Sequence, residues 1–272
     1  MIRMNLKYLY NRFIYDNYLR PCRLSYFDKL MDHFKAANYE AYTLKEWNER
    51  KLVDDGADTP KKKILVLRHD IDTDPRTAWM MAQIEKKYGF NGTYYFRLST
   101  ANSHYMQLIA EMGHEVSYHY EEIASYSKKH KLRNRQQVEM HIESIRKMFS
   151  DNLKVFRDKY KLECRTIASH GEWINAKYLN MTNLELLNDE LRKELGIDVE
   201  AYDDDFMKPF LSSRIADLGN PLWNPYPVED AIANNEHYIY LLLHPRQWYT
   251  RRWCNFVSDI TRLFETIKYK YL

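Results

Sequence analysis

Ile64-Leu-Val-Leu67 is a short, continuous apolar run between Lys63 and Arg68. Such a run is typical of a strand buried on both faces, and strands of that kind belong to parallel sheets covered by helices. The pattern recurs: TYYFRL over 93–98, EVSY over 115–118, RTIAS over 165–169 and YIYLLL over 238–243, with Ile197 to Tyr202 as a weaker strand. Helical signals fill the intervals. Asp74-Pro75 reads as an N-cap followed by proline at the first helical position, and Gly89 as the stop. Ser103 is expected to cap a helix ending at Gly113. Val138, Ile142, Ile145 and Phe149 share one stripe of a long amphipathic helix. Asn255 to Tyr269 reads as a closing helix with Phe256, Ile260, Leu263, Phe264 and Ile267 turned inward. Strands alternating with helices imply βαβ units, and hence a closed or nearly closed β/α barrel, with a doubly wound open sheet as the alternative.

The first 60 residues read as a helical extension packed on a catalytic unit over 61–272. Ser25-Tyr-Phe-Asp28 resembles a capping box, with Tyr26, Phe27, Leu30, Met31 and Phe34 at helical spacing behind it. Thr43-Leu-Lys-Glu46 repeats that signal, and the turn-rich Asp54 to Pro60 separates the two parts. A chain of 272 residues, 45 % apolar, can bury the core of one large α/β domain or two small ones. Its 41 basic and 38 acidic residues nearly cancel, which argues against nucleic acid or an anionic membrane as the main partner. The basic runs at Lys61 to Lys63 and Lys128 to Lys131 read as solvated loop or helix ends. Cys22, Cys164 and Cys254 are scattered and odd in number, which speaks against a disulfide framework or a zinc ribbon. No signal peptide or membrane span is evident, so the cytoplasm is the expected location. Tyrosine (23) and tryptophan (6) are abundant, a composition consistent with sugar binding but more often used for core packing.

Acid–base and metal-ligand residues fall at the ends of these strands. Arg68-His69-Asp70-Ile71-Asp72 follows ILVL, His119 follows EVSY, His170 follows RTIAS and His244 follows YIYLLL. In β/α barrels that rim is where loops converge and catalytic groups gather. Each residue alone has a structural explanation, but two carboxylates and three imidazoles on one rim point to a joint site. Mixed nitrogen and oxygen donors suit a divalent metal such as zinc with one position left for water. A second carboxylate can then accept a proton, and a separate imidazole can protonate a leaving amine.

These residues resemble the NodB-homology polysaccharide deacetylases, carbohydrate esterase family four. The Asp-rich turn at Asp70-Ile71-Asp72, the Gly113-His114-Glu115…His119 segment and Leu242-Leu243-His244-Pro245 match its motifs in order over residues 64 to 247. The resemblance implies a distorted (β/α) barrel of about seven parallel strands, with Asp70 as catalytic base, His244 as general acid, and Asp72 and His119 as metal ligands. It also implies hydrolysis of a C–N (amide) bond. The chain departs from the family where a second histidine is usual, four residues after His119, since Ile123 stands there. The family's Arg-Pro motif after the fourth strand is replaced by Ser169-His170-Gly171. His170 is the expected third ligand and Glu121 the competing one. Arg246 and Trp248, just past His244, are expected to line the pocket with Glu121, Trp248 stacking on a sugar and Arg246 anchoring an anionic group. A cytoplasmic location points to de-N-acetylation of an amino-sugar intermediate in surface-polysaccharide assembly.

Other readings remain. Asp70-Ile71-Asp72 is a D-x-D of the kind glycosyltransferases use for a metal and a nucleotide diphosphate. His69-Asp70 is the pair of the HD phosphohydrolases, whose ligands sit on helices. A non-catalytic sugar-binding protein is the third class.

Overall fold

The computed structural model describes residues 11–53, 63–219 and 221–271. Asp54 to Pro60, Lys61 and Lys62 lie outside them, as do the first ten residues. Nine strands form one sheet: β1 (Tyr39–Tyr42), β2 (Lys63–Ile71), β3 (Thr93–Phe96), β4 (Glu115–Tyr120), β5 (Thr166–Ser169), β6 (Val199–Glu200), β7 (Arg214–Asp217), β8 (Trp223–Asn224) and β9 (Tyr238–Leu243). Eight of them follow the order β6-β5-β4-β3-β2-β9-β7-β8, β1 pairs with β2 off this path, and every pairing is parallel except β7 with β8. The sheet curls like part of a barrel but does not close, because among the described residues β6 does not pair with β7 or β8. The expected seven-stranded barrel is therefore corrected to an open, curled half-barrel. Side chains bridge the gap instead: the Tyr202 ring lies between Arg68 and Arg214, whose guanidinium carbons are 4.4 and 4.9 Å from its centroid.

The helices used below are α1 (Leu24–Ala36), α2 (Leu44–Val53), α3 (Pro75–Lys87), α4 (Ser103–Glu111), α5 (Glu122–His130), α6 (Arg135–Met140), α7 (Ile142–Tyr160), α8 (Asp189–Leu195), α9 (Val228–Ala233) and α10 (Arg252–Tyr271). Asp74 caps α3, accepting bonds from the backbone of Arg76 and Thr77. Thr43 and Glu46 exchange bonds of 2.9 and 3.1 Å at the start of α2. Both caps are as the sequence suggests. Ser25 and Ser103 are not caps: α1 starts one residue earlier, and Asn102 caps α4. The stripe from Val138 to Phe149 spans two helices, broken at His141.

The alternation of β2 sorts its residues between two environments. Ile64 and Val66 face the concave interior with Tyr95, Phe206, Phe210 and Tyr240. Leu65 and Leu67 face the outer layer with Phe27, Phe34 and Trp248. Beyond them Arg68 and Asp70 continue inward, while His69 points outward to Glu85 of α3 at 2.6 Å and stacks on Tyr94. β1, a strand not foreseen, lies beside the first half of β2, and β3 beside the second half. The backbone N–H of Leu44 donates to Thr93 Oγ1 where the two meet.

The orientation of α10 inverts the expectation. Phe256, Leu263, Phe264 and Ile267 are exposed, Ile260 is half-buried, and the fully buried positions are Asn255 and Tyr269. Periodicity reveals that a helix has an apolar stripe, not which way the stripe faces.

Phe27 of α1 is fully buried against Trp248 and His69, so the segment before residue 60 is joined to the sheet by its core. Phe27→Ala should cost about 3–5 kcal/mol of unfolding free energy. Urea denaturation checks this, and a loss within the range of an exposed substitution would show that α1 is not held by that core.

Candidate active site

The C-terminal ends of β2, β4, β5 and β9 bring Asp70, Asp72, His119, His170 and His244 together. His119 lies within β4 rather than after it, because that strand runs to Tyr120. The Nε2 atoms of His119 and His170 are 3.7 and 3.4 Å from Asp72 Oδ1. Among the described residues these three offer ligand atoms that all lie within 4.8 Å of one another. The far sides of both rings are tied. His119 Nδ1–H donates to the Ala168 carbonyl at 2.9 Å, and His170 Nδ1–H donates to Glu121 at 3.1 Å. That fixes the tautomers and leaves both Nε2 lone pairs aimed at one place. Burial pushes the His119 imidazole down to about 4, so it is neutral and available to a cation. Asp72 Oδ1 is buried and has no hydrogen-bond partner among the described residues. An unpartnered carboxylate oxygen beside two free imidazole nitrogens is costly unless a cation sits there. The residues present thus fit a divalent metal.

Asp70 stands beside this group, its Oδ2 3.4 Å from His119 Nε2. Arg68 grips both of its oxygens at 2.8 Å. Burial alone would raise the Asp70 carboxyl, but the Arg68 guanidinium prevails and holds it well below the usual carboxylate range. With one aspartate of the D-x-D pair so engaged, only Asp72 is free for a metal, which weakens the transferase reading. His69 belongs to the outer layer, which removes the HD reading.

His244 follows β9 on the other side of Asp70. Asp217, at the end of β7, accepts a 2.7 Å bond from His244 Nδ1, two bonds from the His244 backbone N–H, and a 2.6 Å bond from Trp248 Nε1. Burial disfavours the imidazolium, but Asp217 overrides it and lifts His244 to about 9. Asp217 was not foreseen. Its strand reads Arg214-Ile-Ala-Asp217, with too few apolar residues to stand out.

The three expected substrate contacts are placed differently. Trp248 has no exposed surface and packs among Tyr26, Phe27 and Trp223, so it cannot stack on a sugar. It is removed from the pocket and instead steadies Asp217. Arg246 lines a cleft, but its guanidinium already pairs with Asp259 at 2.9 and 3.0 Å and with Asn17 at 3.0 Å. Glu121 also lines a cleft, with both oxygens held by Arg97 at 2.7–2.8 Å. It orients His170. A second acidic group, Glu121, His170 and Glu172, is spanned by the same Arg97, which lies 3.7 Å from Glu172. That cation takes the place a metal would need there.

Two clefts open onto the site, of about 670 and 700 Å³, and both are lined by Asp72, Thr73 and Arg262. Asp70, Asp217 and His244 also line the second, with Asp217 itself fully buried behind His244. α10 borders both.

No protein-family model matches the chain, and no curated protein matches it. The similar solved structures include two crystal structures: a mutant of a CE4 family pseudoenzyme with restored enzymatic activity, and a mutant of that CE4 family pseudoenzyme. Each is 13 % identical, with a TM-score of 0.40. The matches cover 75 % of this chain and 65 % and 64 % of those chains, so this chain spans less than two-thirds of their length. A likeness that distant decides neither activity nor substrate.

The Asp217–His244 pair makes a prediction about stability. His244 has a raised value in the folded state, so its contribution is complete below the ordinary 6.5 and is lost as pH rises through about 9. The urea midpoint of the metal-free protein should fall across that interval. In Asp217→Asn the fall should be much smaller. Identical pH dependence in the two proteins would show that Asp217 does not hold the proton on His244.

Proposed function

We propose that this protein is a metal-dependent hydrolase of C–N (amide) bonds, most simply a de-N-acetylase of an amino sugar or glycan intermediate. The observation that carries the reading is the convergence of Asp72 Oδ1, His119 Nε2 and His170 Nε2, each freed for a common cation, between an ionised Asp70 and a protonated His244. Zinc suits two imidazoles and a carboxylate. Bound there, it would polarise an amide carbonyl and make a water molecule more acidic.

The chain's own residues supply the remaining chemistry. Asp70 accepts the proton of the attacking water. Its bond to Arg68 keeps it ionised and fixes its direction, at the cost of some basicity. His244 carries the proton that the departing nitrogen needs. The raised affinity that Asp217 gives it keeps that proton in place through neutral pH, and the shared Asp217 bonds hold the ring still. Asp70 and His244 open to the same cleft, so one substrate can lie between them. A sugar-binding module would need neither a buried base tied to an arginine nor an imidazole backed by an aspartate.

The tests separate metal binding from proton transfer. Asp72→Ala, His119→Ala and His170→Ala should each lower metal content of the purified protein, measured by elemental analysis. Glu121→Ala should lower it less, since it acts through His170. Full occupancy in His170→Ala with loss in Glu121→Ala would exchange those two roles. Asp70→Asn and His244→Ala should keep the metal while reducing acetate release from N-acetylated sugars by about 10² to 10⁴-fold. Unchanged turnover in either variant would defeat the assignment.

A further inference from the structure

α10 presents its polar face to the protein and its apolar face to the outside. Asn255 donates to the Asn17 carbonyl at 2.6 Å, Asp259 accepts from Tyr18 and Arg246, and Ser258, Arg262 and Thr266 border the clefts. The outward face carries Trp253, Phe256, Val257, Leu263, Phe264 and Ile267, all exposed, around a half-buried Ile260; Trp253 and Val257 reach the rim of the first cleft and Leu263 that of the second. Trp253 is 74 % exposed and Phe264 66 %. At 1.5 Å per residue this stripe is about 20 Å long. It is not isolated. The π-helical turn Asn11–Leu19, which α10 packs against, exposes Ile14, Tyr15 and Leu19, and Leu218 at the edge of the second cleft is 60 % exposed. Monomers in water do not often expose contiguous apolar surface on this scale, so the face has a partner.

The charges identify it. Both acids of α10 are turned to cations of the body: Asp259 to Arg246, and Glu265 to Lys128 at 2.7 Å. Arg252 and Lys268 are exposed at opposite ends of the stripe, and among the described residues neither has a carboxylate within ion-pair distance. Lys270 lies over the ring of Trp173. An apolar stripe with the Trp253 indole at one end, the exposed Tyr271 phenol at the other and cations framing it is the pattern of a helix lying in a bilayer interface. The near balance of charge over the whole chain conceals this local segregation.

We propose that α10 docks the protein on an anionic lipid surface, with the two clefts opening at the membrane plane. No helix among the described residues is long and apolar enough to cross a bilayer, so the contact is peripheral. Docking is independent of the hydrolase reading, because Phe256 and Phe264 line neither cleft.

Flotation of the full chain with vesicles tests it. The protein should float with vesicles of phosphatidylcholine and phosphatidylglycerol, and much less with phosphatidylcholine alone. Phe256→Glu/Phe264→Glu, with its fold checked by circular dichroism, should bind the mixed vesicles weaker by about tenfold or more. Arg252→Glu/Lys268→Glu should lose the preference for the anionic lipid. The phenylalanine variant should keep its metal, and its hydrolysis of any water-soluble substrate the parent accepts. Failure of the parent to float, or equal flotation of parent and phenylalanine variant, would overturn the proposal. So would a concentration-dependent dimer in sedimentation that this variant dissolves without any vesicle binding by the parent, which would make a second copy the partner.

Discussion

Arg68 is a cation with no exposed surface at the centre of a curled sheet that does not close. Its guanidinium meets both oxygens of Asp70, lies within hydrogen-bonding reach of the Tyr202 and Tyr240 hydroxyls, and is covered by the rings of Tyr95 and Tyr202. A charge taken that far from water is tolerable only when so fully partnered. The arrangement therefore constrains the fold and the site at once. Remove Asp70, and an uncompensated cation is left inside. Remove Tyr202, and the gap beyond β6 loses its filler. The same bonds hold the Asp70 carboxylate in place beside the imidazoles. Geometry for chemistry and cohesion of the open sheet come from one side chain.

Adjacent residues on β2 illustrate why residue type alone does not assign a role. His69 and Asp70 are neighbours in sequence, yet the strand's twofold alternation sends one into the helix layer and the other into the hollow. Outside, Glu85 accepts bonds from Tyr94 and His69, with His114 close by at 3.5 Å, a polar network sealed beneath α3. Glu115 is structural in the same way: it takes bonds from Thr93 and Thr166 and from the backbone of Lys45, at the opposite end of the strands from the candidate site. Two of the three residues of Gly113-His114-Glu115 thus pin strand starts, and the segment's one contribution to the site is His119.

Much of this was legible in the sequence. The apolar runs located β2 to β5 and β9, and their ends brought forward all five residues of the candidate site. What was hidden had physical causes. β1, β7 and β8 are too short or too polar to give a period, so Asp217 went unseen. Arg68 lies two residues before Asp70 and so on the same face of β2, a relation the alternation rule contains but that only the bidentate contact makes evident. Trp248 seemed placed for a ligand by its position in a turn, whereas its burial depends on α1, far away in the chain. For α10 the stripe itself was correct and only its direction was reversed, because a period carries no information about the medium on either side.

An open sheet leaves backbone donors and acceptors without neighbours at its margins, and such margins recruit strands from other chains. At the two ends of the strand order, where the barrel fails to close, the margins are very short. β6 and β8 are two residues each, and β8 runs into Pro225, which has no N–H to offer. At β6 the second residue is Glu200, a buried acid whose carboxylate binds the backbone N–H groups of Ser169 and Tyr202. An incoming segment would find little ladder to extend and an acid facing the interior. Leaving the barrel unclosed therefore does not create a template for edge-to-edge aggregation.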